Sequence, residues 1–187
     1  MKRAVFLDRD GVINRDRAYV HRWEDFEFVP GALEAAARLS AAGWTLVVVT
    51  NQSGIARGYY TEEDYQALTQ HMVAAFAAHG APIAAIYHCP HHPSGRVAAL
   101  AVDCDCRKPA PGMLLRAARE HGLSLAESMM VGDKPSDIAA ARAAGVGRAY
   151  LVTSDNEESP SGGAAVGADG AFASLADCVA HLLPARA

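Results

Sequence analysis

The run Phe6-Leu7-Asp8-Arg9-Asp10-Gly11 constrains this chain more than any other stretch. Apolar residues lead straight into two aspartates one residue apart, and Gly11 lets the chain turn sharply behind them. An apolar run ending in turn chemistry reads as a buried strand whose carboxyl end delivers both acids into a cleft. In open α/β sheets, ligands gather outside the carboxyl ends of the strands. Two carboxylates placed there repel each other unless a cation or a shared proton offsets them. A hard cation with oxygen ligands, such as Mg²⁺, meets that need. An Asx turn that merely closes a strand would use the same residues, so the downstream sequence has to decide.

Downstream, strand-like and helix-like segments alternate. The β-branched run from Trp44 to Val49 ends in Thr50-Asn51-Gln52-Ser53-Gly54, again polar turn chemistry at a strand end. Further strands are predicted over 82–87, 128–133, 148–152 and near Ala171. Helices are predicted over 30–42, from the Thr61-Glu62-Glu63-Asp64 capping box to Gly80, and over 111–121, 135–144 and 175–183. This alternation predicts an α/β, Rossmann-like parallel sheet with helices on both faces. Residues 14–28 read as an ordered loop over the mouth of the site, and 154–170 as a mobile loop. Trp23, Trp44, Met129, Met130 and Cys178 read as packing residues.

With 187 residues, about half of them hydrophobic, one well-cored domain over 1–187 is expected. Net charge is −4 and no basic stripe invites nucleic acid. Apolar runs are too short for a bilayer, and a strand that begins by residue 4 leaves no room for a signal peptide. The expectation is a cytoplasmic protein, with no membrane or nucleic-acid partner. A monomer is expected because no surface apolar stripe is evident.

Three of the four cysteines crowd into eighteen residues. Cys89-Pro90-His91-His92 and Cys104-Asp105-Cys106 form C-x-H with C-x-C, and in a cytoplasmic chain such a cluster points to metal rather than disulfide. Cys89, Cys104, Cys106 and one histidine, His91 or alternatively His92, make the closed set that structural zinc prefers. This zinc loop, 88–107, runs directly into Arg107 and Lys108, so an ion there would pin the backbone that carries both cations.

Four strand ends now carry polar groups: Asp8 and Asp10, Thr50 and Asn51, Lys108, and Asp133 with Asp137. Together they supply a carboxylate nucleophile, a second carboxylate, a hydroxyl, an ammonium and further acids for a metal. That set suits phosphoryl transfer through a covalent aspartyl-phosphate. On Asp8-Arg9-Asp10-Gly11-Val12, Thr50, Lys108 and Gly132-Asp133-Lys134-Pro135-Ser136-Asp137, the chain resembles the haloacid dehalogenase superfamily of phosphatases over roughly residues 3–152. The resemblance implies Asp8 as nucleophile and Asp10 as general acid and base. It implies Thr50 and Lys108 as phosphoryl stabilisers, with Mg²⁺ held by Asp8, the Asp10 carbonyl and Asp133. Asp137 is either a support behind that shell or a cap for its own helix. About forty residues separate Asp8 from Thr50, so no large cap domain fits between them.

The zinc loop narrows the resemblance to the group that holds heptose 1,7-bisphosphate 7-phosphatases and histidinol-phosphate phosphatases. The length of the loop between His91 and Cys104 favours the heptose branch. That branch implies removal of the C7 phosphate of a heptose bisphosphate, in nucleotide-activated heptose synthesis for lipopolysaccharide core or other surface glycans. A phosphorylated sugar would then be met by the loop Asp16, Arg17, Ala18 and Tyr19, by Asn51, Gln52 and Ser53, and by the cations Arg107 and Lys134. Arg9 is expected to point away from the two acids by strand alternation. A zinc-stabilised binding module that has lost its chemistry is disfavoured, because the nucleophile, lysine and acids are all present.

Overall fold

The structure, a computed structural model, describes residues 1–153 and 167–184. The predicted mobile loop lies outside them apart from its end at 167–170. Six parallel strands form one sheet: β1 (Ala4–Leu7), β2 (Thr45–Asn51), β3 (Ile83–Cys89), β4 (Met129–Gly132), β5 (Arg148–Val152) and β6 (Gly170–Phe172). Their spatial order is β3-β2-β1-β4-β5-β6. The helices are α1 (Ala32–Ala41), α2 (Glu62–Ala78), α3 (Gly112–His121), α4 (Pro135–Ala144) and α5 (Leu175–Leu182).

Strand alternation splits the core cleanly. Val5 and Leu7 of β1, Leu46 and Val48 of β2, and Val131 of β4 join one apolar cluster with Leu39 of α1, Met72 and Phe76 of α2, and Val179 of α5. Ala4 and Phe6, Val47 and Val49, and Met130 face the other side, against Met113 and Leu114 of α3 and Ile138 and Ala141 of α4. Every residue of β1 is fully buried, as a central strand covered on both faces must be. Helix stops follow local chemistry: Gly122 and Gly145 take left-handed caps after α3 and α4. Thr61 accepts from the Asp64 N–H to start α2, as its capping box predicts.

Two boundaries differ from expectation. β2 runs on to Asn51, and β3 reaches Cys89 rather than ending at Tyr87, because Thr50 pairs with His88 and Asn51 with Cys89. Polar residues that read as a turn are thus held extended by a neighbouring strand. The packing residues sit as expected: Cys178 and Met130 are fully buried, Arg3 lies over the Trp44 ring at 4.4 Å, and Trp23 stacks on Phe26. Among the described residues no helix is long and apolar enough to cross a membrane, and no large cap domain interrupts the sheet.

The chain winds from β1 through β2 to β3 on one side, then crosses back to place β4 on the other side of β1. The crevice between the carboxyl ends of β1 and β4 is therefore the topological switch point, where ligands of open α/β sheets bind.

Candidate active site

Asp8 follows β1 directly, and its N–H donates to the Val131 carbonyl of β4 at 3.1 Å. One carboxylate oxygen, Oδ1, accepts from the Arg9 N–H at 2.8 Å and pairs with Lys108 Nζ at 3.0 Å. Lys108 is 3% exposed; its ammonium also meets Asp137 Oδ1 at 2.6 Å and the Val49 carbonyl at 2.8 Å. Burial alone would lower the Lys108 pKa, but the Asp137 and Asp8 carboxylates outweigh it and hold the ammonium charged. Asp133, after β4, places carboxylate oxygens within 4.8 Å of those of Asp8 and Asp137.

Three carboxyl groups against one ammonium leave an excess of acid in a buried corner. Burial first, then the Asp137 charge, pushes Asp8 up to about 6. Burial, then Asp8 and Asp137, pushes Asp133 up to about 8. Asp133 Oδ1 is buried and has no hydrogen-bond partner. A buried, unpartnered carboxylate oxygen beside two other acids fits a hard cation with oxygen ligands. Asp137 is already committed: Oδ1 to Lys108, and Oδ2 accepting from the Lys134 N–H at 3.0 Å at the start of α4. It thus supports the lysine and caps its helix at once, which joins the two readings of this residue.

Gly11 makes the approach possible. Its φ is +88°, and a Cβ there would stand 2.2 Å from Asp133 Oδ2. Gly11→Ala is expected to cost about 1–3 kcal/mol through backbone strain alone and to displace Asp133. Urea unfolding with cation titration measures both; a variant with unchanged stability and unchanged cation response would contradict this packing.

Asp10 is held differently. Against sequence expectation, Arg9 does not point away. β1 ends at Leu7, so strand alternation no longer governs residue 9. Its guanidinium is 1% exposed and forks onto Asp10, Nη2 to Oδ1 at 2.9 Å and Nε to Oδ2 at 3.2 Å. Burial raises the Asp10 pKa. The Arg9 charge and the donors from Arg9, Asn14 and Gln52 outweigh it and hold the carboxyl below its ordinary value.

The remaining predicted residues divide by placement. A cleft of about 530 Å³ is lined by Asp8, Asp10, Lys108 and Asp137 at its floor. Asp16, Ala18, Tyr19, Asn51, Gln52, Ser53, Arg107 and Lys134 also line it. Thr50 is buried beside them, its hydroxyl accepting from Gln52 Nε2 at 2.9 Å. Gln52, expected at the substrate, is itself buried; its Nε2 also donates to Asp10 and its Oε1 accepts from the Tyr60 hydroxyl at 2.5 Å. The Asn51 carboxamide clamps the Lys108 peptide, Oδ1 accepting from its N–H at 3.0 Å and Nδ2 donating to its carbonyl at 3.1 Å. Arg17 is not brought to the cleft; its guanidinium pairs with Glu27. Asp16 reaches across to Lys134 at 3.4 Å. Ala18 and Tyr19 sit at positive φ, 55° and 58°, a strained backbone of the sort that marks binding loops. Arg9, Asn14 and Tyr60 are the residues that sequence reading left out.

At the edge of the site, Cys89, His91, Cys104 and Cys106 converge, with separations of 3.5 Å for Cys89–Cys104, 3.4 Å for Cys104–Cys106, 3.6 Å for Cys89–His91 and 3.4 Å for His91–Cys106. Metal–ligand lengths of about 2.0–2.3 Å imply tetrahedral edges of roughly 3.5–3.8 Å. The four atoms therefore already stand near the corners of a zinc site. His92 turns away, to Arg57 at 3.0 Å, so His91 is the histidine of the cluster.

A family model described as HAD-hydrolase-like matches residues 105–178. The D-glycero-beta-D-manno-heptose-1,7-bisphosphate 7-phosphatase of Yersinia pestis is 48% identical over 174 residues, 93% of this chain and 92% of that one. The chain belongs to the heptose-bisphosphatase family of haloacid-dehalogenase-like hydrolases. The Vibrio cholerae enzyme of the same name is 53% identical over 151 residues, 81% of each chain. A crystal structure of D,D-heptose 1,7-bisphosphate phosphatase from B. bronchiseptica, complexed with magnesium and phosphate, superposes with a TM-score of 0.84. It is 39% identical and covers 98% of both chains. The protein is accordingly a phosphatase, a phosphoric monoester hydrolase, and its sheet is of the haloacid-dehalogenase type.

Proposed function

We propose that this phosphatase removes the C7 phosphate of D-glycero-D-manno-heptose 1,7-bisphosphate through an aspartyl-phosphate on Asp8. The observation that carries the reading is the single cleft that joins the Asp8–Lys108 pair and Asp10 to a second set of cations, Arg107 and Lys134. A bisphosphate needs charge at two places, one over the nucleophile and one farther along. The names of the relatives support the same substrate.

In this reading, an Asp8 oxygen attacks phosphorus and the bond from phosphorus to the C7 oxygen breaks. The leaving oxygen takes its proton from Asp10 in its protonated form, which the negative charge of the bound phosphate favours against the pull of Arg9. Lys108 and the Thr50 hydroxyl hold the transferring phosphoryl oxygens, and the Asn51 clamp keeps the Lys108 backbone in place. Asp10 then accepts a proton from the water that attacks the aspartyl-phosphate, which frees phosphate and restores Asp8. Asp8, the Asp10 carbonyl and Asp133 would hold Mg²⁺, which supplies charge stabilisation for the phosphoryl group when bound. Cys89, His91, Cys104 and Cys106 would hold a structural Zn²⁺. The product heptose 1-phosphate would serve nucleotide-activated heptose synthesis.

Phosphate release from α- and β-heptose 1,7-bisphosphate and from histidinol phosphate, assayed side by side with Mg²⁺, tests the substrate. A strong preference for either heptose anomer supports the reading. A preference for histidinol phosphate overturns it.

The raised acids give a second test. In the fold, Asp8 titrates near 6 and Asp133 near 8, both above the ordinary 3.8. The folded chain therefore holds protons that the unfolded chain has released, and between about pH 4 and 8 these two groups make the fold less stable as pH rises. The melting temperature of metal-free protein should fall from pH 5 to pH 8. Mg²⁺ should raise it most at pH 8, where few protons compete for the site. An equal Mg²⁺ effect at both pH values would count against this acid cluster as the cation site.

A further inference from the structure

We infer that Arg9 is a positioning residue for the proton transfers of Asp10, and that it ties that carboxylate to the loop over the substrate. The inference rests on the acid–base role of Asp10 given above. Both Asp10 oxygens are held, Oδ1 by Arg9 Nη2 at 2.9 Å and Asn14 Nδ2 at 3.0 Å, and Oδ2 by Arg9 Nε at 3.2 Å and Gln52 Nε2 at 3.1 Å. The same Arg9 Nη2 donates to the Val20 carbonyl at 2.7 Å. Val20 ends the segment that places Asp16, Ala18 and Tyr19 on the cleft wall.

A carboxyl group that, protonated, gives its proton to a departing alcohol and then, as the carboxylate, takes one from water must present its oxygens in a constant plane. A planar guanidinium fork fixes that plane; a lysine ammonium, a point donor, does not. A buried ion pair is a poor source of stability, since apolar residues of similar volume serve as well. Beyond its charge, the Arg9–Asp10 pair adds orientation. Because one guanidinium grips both Asp10 and the Val20 carbonyl, the loop cannot shift far without turning the acid.

The test compares two leaving groups. A sugar alkoxide needs the Asp10 proton to depart, whereas the phenolate of p-nitrophenyl phosphate does not. For both substrates kcat/KM reports only the steps up to aspartyl-phosphate formation, so the later water step does not enter. Arg9→Met is expected to lower kcat/KM for the heptose bisphosphate about 10²-fold while changing that for p-nitrophenyl phosphate by less than about threefold. Arg9→Lys, which keeps the buried charge but loses the fork, should show the same selectivity at about tenfold. It carries the comparison if Arg9→Met does not fold. Equal losses on both substrates, or no loss on the sugar, overturn the inference. Asp10→Asn, run alongside, separates the two layers. If it discriminates between leaving groups and the Arg9 variants do not, the Arg9 role alone falls. If Asp10→Asn itself does not discriminate, the acid role of Asp10 falls, and the Arg9 role with it.

Discussion

Asp8→Asn is expected to lower phosphate release by on the order of 10⁴-fold or more and to leave the fold intact. An amide has no oxygen nucleophilic enough to open the phosphate ester, and no acyl-phosphate can form on it. The substitution also removes one of three acids from a corner where burial and the Asp137 charge already push Asp8 up to about 6. Lys108 retains Asp137 at 2.6 Å and the Val49 carbonyl at 2.8 Å. Metal-free Asp8→Asn should therefore melt at or above the temperature of the parent at neutral pH. Acid-quenched label from ³²P-substrate should appear on the parent and not on the variant. Phosphate release within tenfold of the parent would remove Asp8 as the nucleophile.

Cys104→Ala should lower zinc content, stability and activity together. Cys104 stands 3.5 Å from Cys89 and 3.4 Å from Cys106, so its loss opens one corner of the tetrahedron. Losing a structural metal belongs to the class of changes that cost on the order of 4 kcal/mol. At about 2–4 °C per kcal/mol for a chain of this size, the melting temperature should drop by about 8–16 °C. Activity should follow because of where the cluster sits. Cys89 ends β3 in register with Asn51, and Cys106 precedes Arg107 and Lys108. The same ion would thus brace both halves of the contact between the Asn51 carboxamide and the Lys108 peptide. Elemental analysis, melting curves and kcat/KM on one preparation check this. A zinc-free variant with parental stability and activity would show that the cluster does not support the lysine.

Much of this could be read without coordinates. The apolar run into Asp8 and the β-branched run into Thr50 are near-continuous apolar strands, and their burial on both faces is what a central parallel strand requires. Boundaries were less legible. Whether Thr50 and Asn51 turn or continue the strand depends on the backbone of β3 beside them, which local propensity does not contain. Arg9 shows the same limit more sharply. Alternation sends it away from the acids only if the strand continues, and β1 stops at Leu7. Gln52 and Asn51 look like substrate donors in the sequence; in the fold their amides hold Asp10, Thr50 and the Lys108 peptide.

By itself, then, the sequence determined the order of strands and helices, the acids at strand ends, and the Cys/His spacing of the loop before Lys108. These depend on residue type and spacing along the chain. Lys108 itself, read as a strand-end group, stands in the connection between β3 and α3. Only the tertiary structure decided which groups face one another: Asp137 on Lys108, Arg9 on Asp10 and Val20, and His91 rather than His92 toward the thiols. Those choices follow from the crossover that sets β4 beside β1 and from burial, which makes each polar group find a partner within a few ångströms.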